Sequence, residues 1–340
     1  MRKSIFFLFF IWVGLSSCLY GQETIKTTSI YRDYHRAWEL YEKSQFTAAR
    51  IEFENFINQP IDRNDPLIIK AYYYRGMSAL ALYNDDAIHL LSSFNQAYPE
   101  NPFRNQINFE IGNYFFQKED FLGALPWYEE VQHDLLTPEE VEPFHFKKGY
   151  SYYQEGLESE ALESFKYVKN STGQYGTISL YYYAHLNYKL GNLSESKSDF
   201  HRLKHISEFT TIAPYYIVQI NHKQGLYDSV IAYAPSVLDT ADLGNYNDIL
   251  HLLGDSYFKL NQFENAAKYL LSYNKGAKTT RADDYQLGYA LMKSNKTEEA
   301  IPFLERSARI DDSLGQTAMY HIGNCYLTLG KMLPSRNAFE

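Results

Sequence analysis

Cysteine is nearly absent from this chain of 340 residues, which carries two, Cys18 and Cys325. A disulfide framework and a four-cysteine zinc site are thereby excluded. Surplus positive charge is absent as well. Thirty-two Lys and Arg stand against 41 Asp and Glu, a net charge of −9, so binding of nucleic acid through a general basic field is not expected. Long apolar runs are absent outside the N-terminus, so no other segment is expected to anchor the chain as a membrane helix. The motifs of common chemistries are absent too: no His-Glu-x-x-His, Gly-x-Gly-x-x-Gly, Walker loop or Gly-x-Ser-x-Gly elbow occurs. Gly330-Lys331 is followed by Met332 and lacks the upstream glycine, and Gly254-Asp255-Ser256 reads as a repeat residue followed by helix surface.

What is present is globular in composition, with 45% apolar and 21% charged residues. The length exceeds one compact core and calls for several domains or an extended architecture. Aromatic residues reach 17%, with 32 tyrosines, more than ordinary enzymes carry. The chain starts with a short basic segment, Met1-Arg2-Lys3, then the apolar run Ser4 to Leu15, then small polar residues. That is the layout of a secretory signal peptide, spanning residues 1–21. Two removal sites compete. Ordinary cleavage would follow Gly21, and the ending Leu19-Tyr20-Gly21-Gln22 resembles signal peptides of Bacteroidota. Leu15-Ser16-Ser17-Cys18 instead resembles a lipobox, in which Cys18 would be lipidated. Either route exports the mature chain.

The remainder, 22–340, is repetitive. A small residue recurs with a second one about twelve positions on, across a turn. Ala37 and Ala49 mark repeat one, Gly76 and Ala87 repeat two with a turn one residue shorter, Gly112 and Ala124 repeat three, and Gly149 and Ala161 repeat four. Ala184 and Ser196, Val218 and Val230, Gly254 and Ala266, Gly288 and Ala300, and Gly323 and Ser335 mark repeats five to nine. Successive second positions are 34–38 residues apart. In repeat seven, Leu250, Leu253, Gly254 and Tyr257 fall on one helical face, and Phe263, Ala266, Leu270 and Tyr273 on another. Each repeat therefore reads as two helices that need stacked neighbours to bury their apolar faces. Repeat six is the poorest, with Val218, Val230 and Ala234 at its key positions, and its helix boundaries are the least defined. Looser joints are expected at Asn58–Pro66, Asn170–Gly176 and Asp239–Asp248. The last repeat stops partway along its second helix, as in a fragment of a longer protein.

The pattern Ile111-Gly112, Phe115, Phe121, Ala124 and Tyr128, and again Leu253-Gly254, Tyr257, Phe263, Ala266 and Leu270, resembles the tetratricopeptide repeat, with Pro99 closing repeat two. The resemblance covers about residues 30 to 340. It implies an all-α, right-handed superhelical solenoid of about nine helix-turn-helix units, the first helices lining a concave groove. The residue three before each first small position would then face that groove: Tyr34, Tyr73, Phe109, Phe146, Tyr181, Tyr215, His251, Tyr285 and Tyr320. Such rings offer contact area at low entropy cost, or else they pack against the adjacent helix. A row at Lys189, Lys223, Lys259 and Lys293 would form a rim attractive to an acidic partner, or else a set of solvated helix ends. Family members that capture acidic chaperone tails carry lysine where this chain has its aromatic ladder, so that activity is not implied.

Other candidates are weaker. His201 and His205 are four apart on the second helix of repeat five, without a third ligand. Acidic pairs at Glu139-Glu140, Asp283-Asp284 and Glu298-Glu299 read as helix-start features, and Thr137-Pro138 as a cap. Cys325 reads as buried and inert. The expectation is a non-catalytic protein-interaction scaffold of the bacterial envelope, in the periplasm or on the periplasmic face of the outer membrane. It has a protein or peptide partner, no cofactor, no metal and no nucleic acid, and meets a membrane only through a lipid on Cys18. The rivals are the sensor region of a longer signalling protein, with a histidine kinase or DNA-binding output beyond residue 340, and a glycan-binding outer-membrane lipoprotein. The even repeat spacing counts against the latter.

Overall fold

The computed structural model describes residues 31–239 and 243–340. The leader at 1–21 and Cys18 lie outside the described residues. Among the described residues there are eighteen α-helices, two short 3-10 turns and no strand. Two compact units divide the chain between Ser164 and Phe165.

The first unit contains α1 (Arg32–Glu42), α2 (Phe46–Ile57), α3 (Pro66–Ala81), α4 (Ala87–Ala97), α5 (Arg104–Gln117), α6 (Phe121–Glu129) and α7 (Pro138–Gln154). The division falls inside α8 (Glu158–Val168). The second unit holds α9 (Gln174–Lys189), α10 (Leu193–Leu203), α11 (Ile212–Lys223), α12 (Tyr227–Leu238), α13 (Leu243–Lys259) and α14 (Phe263–Gly276). It continues through α15 (Arg281–Lys293), α16 (Thr297–Ser307), α17 (Ser313–Thr328) and α18 (Met332–Phe339). Within each unit consecutive helices pack on one another.

The core is built across repeats, as the sequence requires. One cluster joins Ala37 of α1, Ala49 and Phe53 of α2 and Ile68 of α3. Another joins Ala266 and Leu270 of α14, Leu287 of α15, Leu304 of α16 and Ile322 of α17. The small residues permit the close crossing within each pair. A Cβ on Gly254 would lie 2.7 Å from the Leu270 side chain, and one on Gly112 would lie 2.6 Å from the Tyr128 ring. Repeat six solves the same crossing in reverse. Val218 is large where glycine is usual and Ala234 is small where Leu270 or Tyr128 stands, and both are fully buried. Its helices are complete, Ile212–Lys223 and Tyr227–Leu238.

Turn geometry repeats as strictly as the small residues. The residue seven after each first small position is left-handed: Ser44, Tyr83, Glu119, Gly156, Gly191, Gly225, Asn261, Asn295 and Gly330, with φ of 54° to 84°. In every case its amide donates to the carbonyl three residues back, and the next amide donates to the carbonyl five residues before it. This closure satisfies the orphan carbonyls of each first helix and reverses the chain. Glycine or asparagine fills six of the nine sites because they tolerate positive φ.

Helix starts behave as their residues dictate. Thr137 and Glu140 form a capping box at α7, the Thr137 amide donating to the carboxylate at 2.9 Å. Thr280 and Asp283 form another at α15. The expected joint at Asn58–Pro66 is tied down: Tyr31 donates to Asp65, Tyr98 donates to the Arg63 carbonyl, and Arg63 donates to the Ile57 carbonyl. The joint expected to run to Asp248 is shorter, because α13 is already helical from Leu243.

Candidate partner-binding face

On each first helix, residues at −3, +1 and +4 from the small position share one face, since they are spaced i, i+4, i+7. The +1 residues belong to none of the rows drawn from the sequence. They include Trp38, Met77, Asn113, Tyr150, Asp255 and Tyr289. The spacing that defines the face was the signal that could have found them.

In the first compact unit this face opens into a cleft of about 320 Å³. Tyr41, Met77, Leu80 and Tyr114 form its walls, and Glu110, Asn113 and Gln117 supply its polar groups. Tyr83, held at positive φ by the turn after α3, donates its hydroxyl to Gln117 and stacks on Tyr114 at 5.5 Å. Glu110 accepts from Gln106 at 3.1 Å and from Asn113 at 3.2 Å. Asn113 accepts in turn from Tyr128 at 3.1 Å and from Lys147 at 2.8 Å. Burial holds the Lys147 amine below its ordinary range, with Glu110 opposing that shift. Burial pushes the Tyr41 phenol up to about 12. The cleft thus combines aromatic and thioether walls with a neutral to acidic polar seam.

Three of the nine predicted groove residues are largely consumed by packing. Tyr34 is 6% exposed against Phe53 and Phe56, and Phe109 is 4% exposed against Phe144. Tyr73 is 7% exposed and stacks on Phe103 at 4.2 Å, and burial raises its phenol pKa. Little of these rings remains to touch a partner. Phe146 is half-buried beside Tyr150 at 5.9 Å.

In the second compact unit the same face is stitched from repeat to repeat. Tyr188 donates to Gln219, and Tyr215 donates to Asp248 at 2.8 Å. His222 meets Asp255 at 2.7 Å, and Gln286 donates to the other oxygen of Asp255. Burial opposes ionisation of Asp255, yet the bonds from His222 and Gln286 hold its pKa below the ordinary value. His251 pairs with Asp283 at 3.2 Å and lies 4.7 Å from the Tyr273 ring. Tyr181 stacks on Phe209 at 5.2 Å, and Tyr285 lies 6.1 Å from Tyr289. Tyr320 is the most open of the ladder at 58%. Tyr289 also faces His321 at 5.0 Å and Phe258 at 5.7 Å.

The four lysines are all exposed. Lys223 sits 4.0 Å over the Tyr188 ring and Lys293 5.4 Å over Tyr289, so two of them cover groove aromatics. His205 falls past the end of α10 at Leu203, so it does not share a helical face with His201. Among the described residues no group of three or more His, Cys, Asp or Glu could hold a metal. Cys325 is fully buried, which raises its thiol pKa. Ser256, expected on the helix surface, is instead fully buried, its hydroxyl satisfied by donating to the Leu252 carbonyl of its own helix.

The tetratricopeptide repeat family model matches residues 248–272 and 285–313, within repeats seven and eight. Among solved structures, the C-terminal part of a TPR repeat-containing protein from Cytophaga hutchinsonii is similar, with a TM-score of 0.51 and 12% identity over 68% of this chain and 92% of that one. The fold is tetratricopeptide-like. A tetratricopeptide repeat protein from Parabacteroides merdae covers 77% of this chain and 98% of its own, at 14% identity and a TM-score of 0.41. YrrB, described as a TPR protein with an unusual peptide-binding site, covers 52% and 89% at 16% identity and a TM-score of 0.45. No curated protein matches the sequence. Among the described residues no helix is long and apolar enough to cross a membrane.

Proposed function

We propose that this chain is a non-catalytic scaffold of the bacterial envelope that holds a protein or peptide partner against the first-helix faces of its repeats. The observation that carries this reading is the open cleft between Tyr41, Met77 and Asn113, where rings and a thioether stand beside polar groups that can bond a peptide. A methionine wall adapts to varied side chains. The exposed lysines and half-buried tyrosines of repeats five to eight extend the same kind of surface in the second unit. Export rests on the leader-like residues 1–21, and lipid attachment on Cys18.

Site-specific photo-crosslinking tests the face. A benzoylphenylalanine at Met77 or Gln117 is expected to trap a discrete partner in cells, while one at Ile51, 57% exposed on α2, traps none. Equal adducts from Ile51 would remove the cleft as the site. Fractionation of cells expressing the full chain, with a palmitate analogue as label, tests the address. A cytoplasmic, unlabelled product would refute export, and an exported, unlabelled one would assign cleavage after Gly21.

A further inference from the structure

A second recess lies in the first compact unit, between α4, α5 and α6. It measures about 480 Å³ and is lined by Ser92, Gln96, Arg104, Asn108, Trp127 and Glu130, among others. That volume is within the roughly 300–1,000 Å³ of small-molecule sites.

Of its polar groups, Asn95 accepts from Asn101 at 3.0 Å, while four others have no protein partner. Asn108 is 4% exposed, and its side-chain amide makes no hydrogen bond to any described residue. Its amide atoms are not sealed in the core but open to the recess, where a ligand can reach them. Asn105 and Asn113 on the same helix do have partners. Arg104, Glu130 and Gln96 are exposed at its rim and make no side-chain bond or ion pair with the described residues. The recess therefore presents one cation, one anion and two amides without a protein partner, so donors and acceptors are both present and the charges balance. Trp127, half-buried against the core of repeats two and three, supplies an indole surface beside them.

A metal ion would find no histidine or cysteine among these lining residues, and a phosphate would meet Glu130. A ligand with an apolar ring face and a neutral rim of hydroxyls satisfies every group. We infer that this recess is a binding site for a neutral saccharide, with a pyranose ring laid on Trp127 and its hydroxyls bonded by Asn108, Gln96, Arg104 and Glu130. It is separate from the first-helix cleft and does not depend on the scaffold reading.

The test uses the full chain on an array of neutral and anionic oligosaccharides, followed by calorimetric titration with cellobiose, maltose, N,N′-diacetylchitobiose and longer oligomers of each. At least one neutral glycan is expected to bind. Stronger binding of the oligomer than of its disaccharide would identify a polymer segment as the ligand, and equal binding a free sugar. Asn108→Leu should weaken binding at least tenfold while the melting temperature stays level, because the amide has no bond within the fold to lose. Trp127→Phe should weaken it severalfold, and Met77→Glu, in the other cleft, should leave it unchanged. Absence of neutral glycan binding, preference for anionic glycans, or binding that survives both Asn108→Leu and Trp127→Phe overturns the inference. So does a fall in melting temperature for Asn108→Leu, which would make the amide structural.

Discussion

Ser196 donates its hydroxyl to the carbonyl of Ala184 at 2.8 Å, joining the second helix of repeat five to the first. Ser335 makes the same bond to Gly323 at 2.9 Å in repeat nine. In both repeats serine replaces the usual alanine at the second small position, adding a bond without adding much volume. Ser196→Ala should therefore cost no more than about 1 kcal/mol. Ser196→Leu should cost about 1–3 kcal/mol by overpacking the crossing. Urea unfolding of the two variants checks the order, and an equal loss would show that the crossing does not limit side-chain size.

The exchange of sizes between Val218 and Ala234 predicts a non-additive pair. Val218→Gly alone removes buried apolar volume, and Ala234→Leu alone overfills the crossing, each lowering stability by about 1–3 kcal/mol. Combined, they recreate the Gly254–Leu270 arrangement, so the double variant should be more stable than the sum of single losses by at least about 1 kcal/mol. Simple additivity in a denaturation cycle would contradict this reading of repeat six.

The left-handed sites predict opposite signs for similar changes. Ser44→Gly removes strain at φ 56° and should be neutral or stabilising by up to about 1 kcal/mol. Gly225→Val places a β-branched residue at φ 71° and should destabilise by about 1–2 kcal/mol. Thermal melts of the two variants moving in the same direction would argue against the turn assignment.

His145 predicts a pH dependence. Burial, then His133 and Lys148, lower its pKa to about 4, and its Nε2 lies 2.9 Å from Nδ1 of His133, a contact that needs one neutral ring. In the unfolded chain the imidazole takes its proton near pH 6.5. Between these values the unfolded state binds more protons, so stability is full above about pH 6.5 and declines as pH falls toward 4. The decline from this group amounts to about 3 kcal/mol at its limit. His145→Gln should flatten stability against pH across that window, and an unchanged profile would show that other groups govern acid sensitivity.

Register was legible in the chain because each repeat spells its own crossing and turn. Gly254 and Ala266 with Leu270, and the left-handed Gly156, Gly191 and Asn261, are local signals. The exposure of the aromatic ladder was not. Tyr73 and Tyr181 are covered by Phe103 and Phe209. Both covering rings come from connectors between repeats, where no periodicity marks them. The +1 face residues were readable from the same helical spacing, but the rows drawn from the sequence passed them by.

The sequence by itself determined the helix pairs, their period, the small residues at each crossing and the reversals between them, since these depend on propensity and spacing within about 35 residues. Tertiary structure alone decided which rings are covered, that Val218 is matched by Ala234, and that Asn108 is left without a partner beside Trp127. Those outcomes depend on which side chains meet when helices pack, and neither composition nor periodicity encodes that meeting.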